Sequence, residues 1–423
     1  MLKEIDTILF YEHVSRELPF LMVLKLELEK QGVSSVIVPI HFNRYLNSLK
    51  YKPKLVVLPY LYSKQNKTYL NFLNSFQNVK CLNLHHEQFY SDETKEHLLP
   101  SDEYSKDIYH LSWSKAFAQD MIDVGVKKEN ILTIGNPRSD TFFLSPKPYI
   151  SNLKNKYKKI IFIPTTFSWA LVDEEYFLKI DGFNKKTFAI TKDTTHKTAQ
   201  RYFQDFYKLS LELKDYLFIL RPHPFEDIQT FIDLFLESTD LKIIPKNILI
   251  SREYDVYEWL KISDLTIGWC TTVNMEASLF NKANIIYHPV DYPKHMELGF
   301  FKYYTIINSF DKLRANIMNI KYTPTTEYDN FIKENFGIAD GKINKKLAKD
   351  IKDIVKSTTK VQIKLSIYKN ILKTFKVDII KNILLKFNLL HKLNKEYTGL
   401  LEDNLSENKL NTIYMKFIHE YKN

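Results

Sequence analysis

Tyr216-Leu217-Phe218-Ile219-Leu220-Arg221-Pro222-His223-Pro224 is an apolar run that ends in two basic residues fenced by prolines. A short apolar run bounded by a turn signal reads as a buried strand. Each proline fixes its own φ and bars the residue before it from the helical region, so the loop is held extended. Arg221 and His223 therefore stand as donors at the carboxyl end of a strand. There the arginine fork can grip a phosphate through two hydrogen bonds. The residue types leave a second reading open, in which His223 only caps the helix expected over Phe225–Leu236. Glu226 and Asp227, in the first turn of that helix, read as partners of its dipole and not as catalysts.

Strand and helix patterns alternate on both sides of this stretch. Upstream, strands are expected at Ile5–Tyr11, Val33–Pro39, Lys54–Tyr60, Val79–Leu84, Tyr109–Ser112 and Ile131–Ile134, with helices at Arg16–Lys30, Gln65–Phe76 and Ser114–Val124. A polar linker carrying Pro146 and Pro148 follows. A second series then runs through strand Ile160–Ile163, a helix over about Thr198–Lys214, the quoted strand, and strands at Ile248–Ser251, Leu265–Gly268 and Ala283–Tyr287. Helices at Val256–Ile262 and Val273–Phe280 separate the last three. Such alternation implies parallel, doubly wound sheets, whose ligands sit beyond the carboxyl ends of the strands. The expected domains are 1–150 and 151–340, both Rossmann-like, and a basic helical tail over 341–423.

Other residues at strand ends can carry chemistry. Cys270-Thr271-Thr272 leads into a helix bearing Glu276, and hydroxyls with free amides at a helix start favour a phosphate. A Glu on the next turn can accept from ribose hydroxyls, and an ordinary threonine cap is the plainer account. Thr165 and Thr166 end the strand that opens the second series, as phosphate or sugar contacts or as simple turn residues. Within Gly135-Asn136-Pro137-Arg138-Ser139-Asp140, Arg138 either reaches a phosphate or pairs with Asp140. His85-His86-Glu87-Gln88 follows the fourth strand. Glu87 is the best candidate there for a general base, which needs a carboxylate or imidazole within reach of an acceptor hydroxyl. The two histidines lack a third ligand at a recognisable spacing, and the chain has no Asp-x-Asp, so no metal and no other cofactor is expected.

The net charge of +10 is uneven. Residues 342–395 hold 15 Lys and three Asp, a local +12, which leaves −2 for the rest and argues against a nucleic-acid binder. Two distant cysteines fit a reducing compartment, the N-terminus lacks a signal-peptide pattern, and no apolar run reaches bilayer length. A cytoplasmic protein is expected, peripheral at the inner face of the membrane in one reading. Val361–Leu390 has an uninterrupted apolar stripe at helical spacing among lysines. It suits either an anionic membrane surface, through 360–395, or packing back onto the protein or a partner.

Taken in order, these motifs resemble bacterial surface-carbohydrate and capsule biosynthesis proteins, a broad group that includes polysialyltransferases, Kdo transferases and CDP-glycerol glycerophosphotransferases. The resemblance rests on Arg16-Glu17-Leu18, His85 to Gln88, Gly135 to Asp140, Thr165 to Phe167, Arg221 to Pro224 and Cys270 to Ala277. It spans roughly residues 5–300. It implies a GT-B fold and a metal-independent glycosyltransferase that moves a sugar from a nucleotide donor to a surface glycan (capsule, lipopolysaccharide or O-antigen), with lipid-linked acceptors among those used. Arg221, His223, Thr271, Thr272, Glu276, Thr165 and Thr166 would hold the donor, which by this analogy is cytidine-linked. Glu87 would be the base opposite the His223 loop, while His86 and Arg138 would serve the acceptor or the hinge. Relatives often carry two acidic residues and then Gly where this chain has His86, Glu87 and Gln88-Phe89, so inverting and retaining chemistry both stay open. A retaining route would need a nucleophile such as Asp193 or Asp173. A polyol-phosphate transferase and a non-catalytic sugar-binding scaffold are the alternatives.

Overall fold

The computed structural model describes residues 2–62, 70–88, 98–171, 185–224, 226–321, 326–386 and 403–422. The chain forms two compact units: Met1–Gln88 with Lys95–Leu144 and Lys333–Asn423, and Phe89–Thr94 with Ser145–Ile332.

In the first unit, β1 (Lys3–Tyr11), β2 (Ser35–Pro39), β3 (Tyr51–Leu58), β5 (Lys80–Asn83), β6 (Tyr109–Ser112) and β7 (Ile131–Thr133) form one parallel sheet. Its order is β2-β1-β3-β5-β6-β7. Ile8, Leu9, Leu55, Val56 and Val57 are fully buried. Consecutive buried residues mean that both sheet faces are covered, which accounts for the unbroken apolar runs in these strands. The helix Val14–Lys30 buries Leu18, Leu21, Leu24 and Leu28 along one side. Gly32, at φ +75°, then supplies the left-handed turn that ends it. The pair β4 (Phe76–Gln77) and β14 (Gln362–Ile363) is antiparallel and stands apart from this sheet.

The second unit repeats the plan with β8 (Lys159–Pro164), β9 (Tyr216–Arg221), β10 (Ile248–Ile250), β11 (Leu265–Gly268), β12 (Asn284–Tyr287) and β13 (Ile306–Ile307). These are parallel, in the order β10-β9-β8-β11-β12-β13. Its core is aromatic: Phe167, Tyr202, Phe203, Phe231 and Trp269 meet at ring separations of 5.0 to 6.3 Å.

Several elements differ from the sequence reading. The linker around Pro146 and Pro148 is a helix, Pro148–Lys156, with proline in its first turn where no N–H is needed. The helix expected from Thr198 is already formed at Lys185 and runs to Glu212. Between Thr191 and Thr198 buried threonines take the place of an apolar stripe on its inner face. Thr195 and Thr198 donate to the carbonyls of Thr191 and Thr194 at 2.7 Å, which satisfies their hydroxyls inside the core. The chain also returns to the first unit at Lys333, where the sequence reading drew a separate segment from residue 341. Ile343–Ser357 packs Leu347, Ala348 and Ile351 inward and lies against Val14–Lys30. Val361–Leu390 is not one helix. After β14, a helix covers Ile367–Lys373, continues as a π-helical stretch Thr374–Ile379 and ends in Ile380–Lys386; residues 387–390 lie outside the described residues. Among the described residues no helix is long and apolar enough to cross a membrane.

Candidate functional site

In the second sheet β8 is flanked by β9 on one side and β11 on the other, so the strand order reverses at β8. Ligands of open α/β sheets collect at such a point, beyond the carboxyl ends. Three loops leave the sheet there: Thr165–Phe167 after β8, Pro222–Pro224 after β9 and Trp269–Thr272 after β11.

Glu226 ties the first two loops together. Its buried carboxylate accepts from the Phe167 N–H, from the Thr165 hydroxyl at 3.2 Å and from the His223 N–H at 2.9 Å. The Glu226 N–H returns to the His223 carbonyl at 2.8 Å, so His223 and Glu226 close a tight turn in both directions. Burial pushes the Glu226 carboxyl up to about 7, against the pull of these donors. Arg252 clamps the same turn by donating to the carbonyls of Pro224 and Glu226 at 3.0 and 2.7 Å. His223 itself is half-buried. It does not cap the next helix: that helix is Ile228–Thr239, and its cap is Asp227, which accepts from the Thr230 N–H at 2.9 Å. The sequence pattern places the helix start at Phe225 with Glu226 and Asp227 as dipole partners, whereas in the structure Glu226 organises the turn and Asp227 is the cap.

The remaining expected donor contacts fall into two kinds. Arg221 is buried and donates to the Tyr254 carbonyl at 2.8 Å, while its own carbonyl accepts from the Thr165 N–H at 3.0 Å and hydroxyl at 3.2 Å. The Thr165 hydroxyl is thus spent inside the protein, and Thr166 is the more exposed of the pair. The Thr271 hydroxyl accepts from the Val273 N–H at 3.3 Å, whereas Thr272, at the cap position of Val273–Leu279, makes no side-chain cap bond. Glu276 is buried in that helix. Gly268 allows the arrangement: a Cβ there would stand 1.9 Å from Asn274 Oδ1. Asn274 in turn donates to the Ile285 carbonyl at 2.9 Å and locks the helix start to β12.

In the first sheet the order reverses at β1, between β2 and β3. The residues beyond it form a dense charged cluster. Glu17 accepts from the N–H groups of Glu12 and His13 at 2.7 and 2.5 Å and so caps its own helix from within. Arg16 pairs with both Glu17 and Glu12, the latter at 2.6 Å. Glu12 also accepts from the Tyr60 hydroxyl at 2.9 Å and meets His41 at 3.2 Å. Burial pushes the Glu12 and Glu17 carboxyls up, and Arg16 with the neighbouring histidines more than reverses this, so both are held below the usual range.

Glu87 follows β5 and is half-buried beside this cluster. Burial raises its pKa, Arg16 and Arg138 oppose the rise, and Glu12 and Glu17 add to it. His86 is buried 3.9 Å from Glu17, with its pKa lowered to about 4 by burial, which makes it neutral at ordinary pH. His85 shares a 2.8 Å hydrogen bond with His110, and Gln88 bonds the Leu111 carbonyl and the Trp113 N–H. Those two are structural. Arg138 acts electrostatically on Glu87 and His86. The suggested pairing with Asp140 is replaced by another contact, since Asp140 accepts from the Asn344 backbone at 2.7 Å and side chain at 3.0 Å. Asp193 is an exposed partner of Lys197 on a helix, and Asp173 lies outside the described residues.

Sequence reasoning missed Glu12 and Arg252 as site-building residues. Glu12-His13 at the end of the first strand pattern was the available signal for the former; Arg252 carries none. Among the described residues no group of three His, Cys, Asp or Glu is placed to hold a metal ion.

No protein-family model and no curated protein sequence matches this chain. Solved structures do. A variant of the wall teichoic acid polymerase TagF superposes with a TM-score of 0.54 at 14% identity, over 84% of this chain and 90% of that one. S. aureus MnaA, in a co-structure with UDP, gives 0.51 at 14% identity over 85% and 98%. The UDP-GlcNAc 2-epimerase of Neisseria meningitidis bound to UDP-GlcNAc gives 0.50 at 10% identity over 83% and 100%. At such identities the likeness concerns the fold, which is GT-B, as the sequence reading expected.

Proposed function

We propose that this protein is a glycosyltransferase that moves a sugar from a nucleotide-activated, cytidine-linked donor to a bacterial surface glycan. The observation that carries the reading is the His223 turn, fixed by Glu226 and Arg252 at the point where the second sheet reverses its strand order. A rigid donor held there can stabilise charge that develops on a departing phosphate without having to reorganise. Arg221 shapes the loop, and Thr271 and the amides at the start of its helix supply further donors to the same phosphate. On the first unit, Glu87 takes the proton of the acceptor hydroxyl. Its raised pKa makes it a better base than an ordinary carboxylate, and Arg16 and Arg138 keep it ionised for the task. The neutral His86 and the Glu12–Arg16 pair set the field around it. The solved structures of similar fold that hold UDP or UDP-GlcNAc support a nucleotide-sugar pocket in this chain.

A transfer assay with radiolabelled CMP-sugar and CDP-glycerol donors tests the reading. Glu87→Gln should bind donor as the wild type does and lose transfer by about 100-fold or more, the usual scale for a general base. The acid limb of the wild-type rate profile should lie above the ordinary carboxylate pKa, because the base form of Glu87 disappears as pH falls through a raised value. Full turnover by Glu87→Gln removes it as the base. Use of CDP-glycerol but of no sugar donor moves the protein to the polyol-phosphate transferases.

A further inference from the structure

The segment after β14 is an amphipathic helix docked the wrong way round for a soluble protein. Its polar face meets the first unit. Asn370 donates to the hydroxyls of Ser48 and Ser75 at 2.9 and 2.7 Å, and Asp378 accepts from the N–H groups of Tyr45 and Leu46 at 3.0 and 2.8 Å. Thr374, between them, is buried as well. The apolar stripe faces water instead. Leu365 is 84% exposed, Tyr368 and Leu372 64%, Phe375 62% and Ile383 49%, with Ile379 also exposed. Tyr368, Leu372, Phe375, Ile379 and Ile383 recur every three or four residues and so share one side of the helical stretch, with Leu365 in the turn that precedes it. A contiguous apolar face of this kind on a folded protein marks an interaction surface.

The charge around the stripe says what it meets. Lys364, Lys369, Lys373, Lys376 and Lys386 are exposed along the same segment. Asp378 is the one acidic residue between 364 and 386, and it is turned inward against Tyr45 and Leu46. Large apolar side chains flanked by lysines, with no exposed carboxylate, complement a surface that is apolar inside and anionic outside. A second copy of the chain would set lysine face against lysine face, which is repulsive.

We infer that Leu365–Lys386 is a membrane-docking face that lies in the headgroup region of an anionic bilayer, with Leu365, Tyr368, Leu372 and Phe375 entering the acyl boundary and the lysines engaging lipid phosphates. This docking is independent of the nucleotide reading, since none of its residues belongs to the strand-end loops.

Flotation of the full chain with phosphatidylcholine vesicles, with and without phosphatidylglycerol, tests it. The wild type should float with the anionic vesicles, release in high salt and stay down with the neutral ones. Leu372→Glu with Phe375→Glu should abolish flotation. Lys369→Gln with Lys376→Gln should weaken it by about fivefold per lysine. All four side chains are exposed, so thermal melting should match the wild type and confirm that the variants fold. Wild-type protein that ignores anionic vesicles overturns the inference, as do apolar variants that float unchanged. A wild-type dimer that Leu372→Glu with Phe375→Glu converts to monomer, without vesicle binding, assigns the face to a second copy and overturns it too.

Discussion

At the scale of single residues, Glu226 holds together the two loops to which donor binding is proposed. It gathers donors from two loops on adjacent strands, and burial holds its carboxyl near 7. Glu226→Gln would turn an amide NH2 toward a backbone N–H. The expected cost is about 1 to 3 kcal/mol, the range for leaving a buried polar group unsatisfied, and it should appear as a lower urea midpoint. The pH dependence has a definite sign. A folded-state pKa of about 7 above the ordinary 4.5 means that the folded protein binds the extra proton in that window. Stability from this group is therefore full below about 4.5 and is lost as pH rises toward 7. Urea unfolding across that range should show this slope in the wild type and not in Glu226→Gln. The sequence displayed Arg221 and His223 openly, because a strand followed by two prolines is a local pattern. It did not display the role of Glu226, whose partner Phe167 lies 59 residues away.

At the scale of elements, two supports are open to substitution. Gly268 ends β11, and a Cβ there would fall 1.9 Å from Asn274 Oδ1 and 2.7 Å from Thr271 Cγ2. Gly268→Ala must displace the start of Val273–Leu279, and a loss of about 1 to 3 kcal/mol is expected from overpacking. Gly299→Ala, where nothing lies within 4 Å of the added carbon, should be nearly silent when the two variants are compared by thermal melting. The second support is Asp378, which caps the helix Arg44–Lys50 from a distant part of the chain by accepting from its first free amides. Asp378→Ala should cost about 1 kcal/mol and raise the rate of limited proteolysis between β14 and Lys386. Helical periodicity predicts that an apolar stripe turns inward. Here Asn370, Thr374 and Asp378 hold the opposite face, and no one-dimensional pattern reveals which face a helix presents to its neighbour.

At the scale of the whole molecule, alternation of apolar runs with helical periods was enough to expect two parallel sheets, because strands buried on both faces leave an unmistakable composition. The return of the chain to its first unit at Lys333 was not legible. It depends on Ile343–Ser357 finding the helix Val14–Lys30, a contact between segments some three hundred residues apart. The basic C-terminal region is thereby part of the first unit and no free appendage. The candidate site was half legible for the same reason. Residues that end strands could be read in order, whereas Glu12, Arg252 and Glu226 matter through what folding brings beside them. Titration calorimetry of the intact protein with CMP, CDP and UDP, repeated on His223→Ala, tests the central claim most directly. A cytidine nucleotide should bind the wild type and lose about tenfold or more in affinity in the variant, the scale of one charge-assisted hydrogen bond. Failure of all three nucleotides to bind, or equal affinity in the two proteins, would contradict the donor site at the His223 turn.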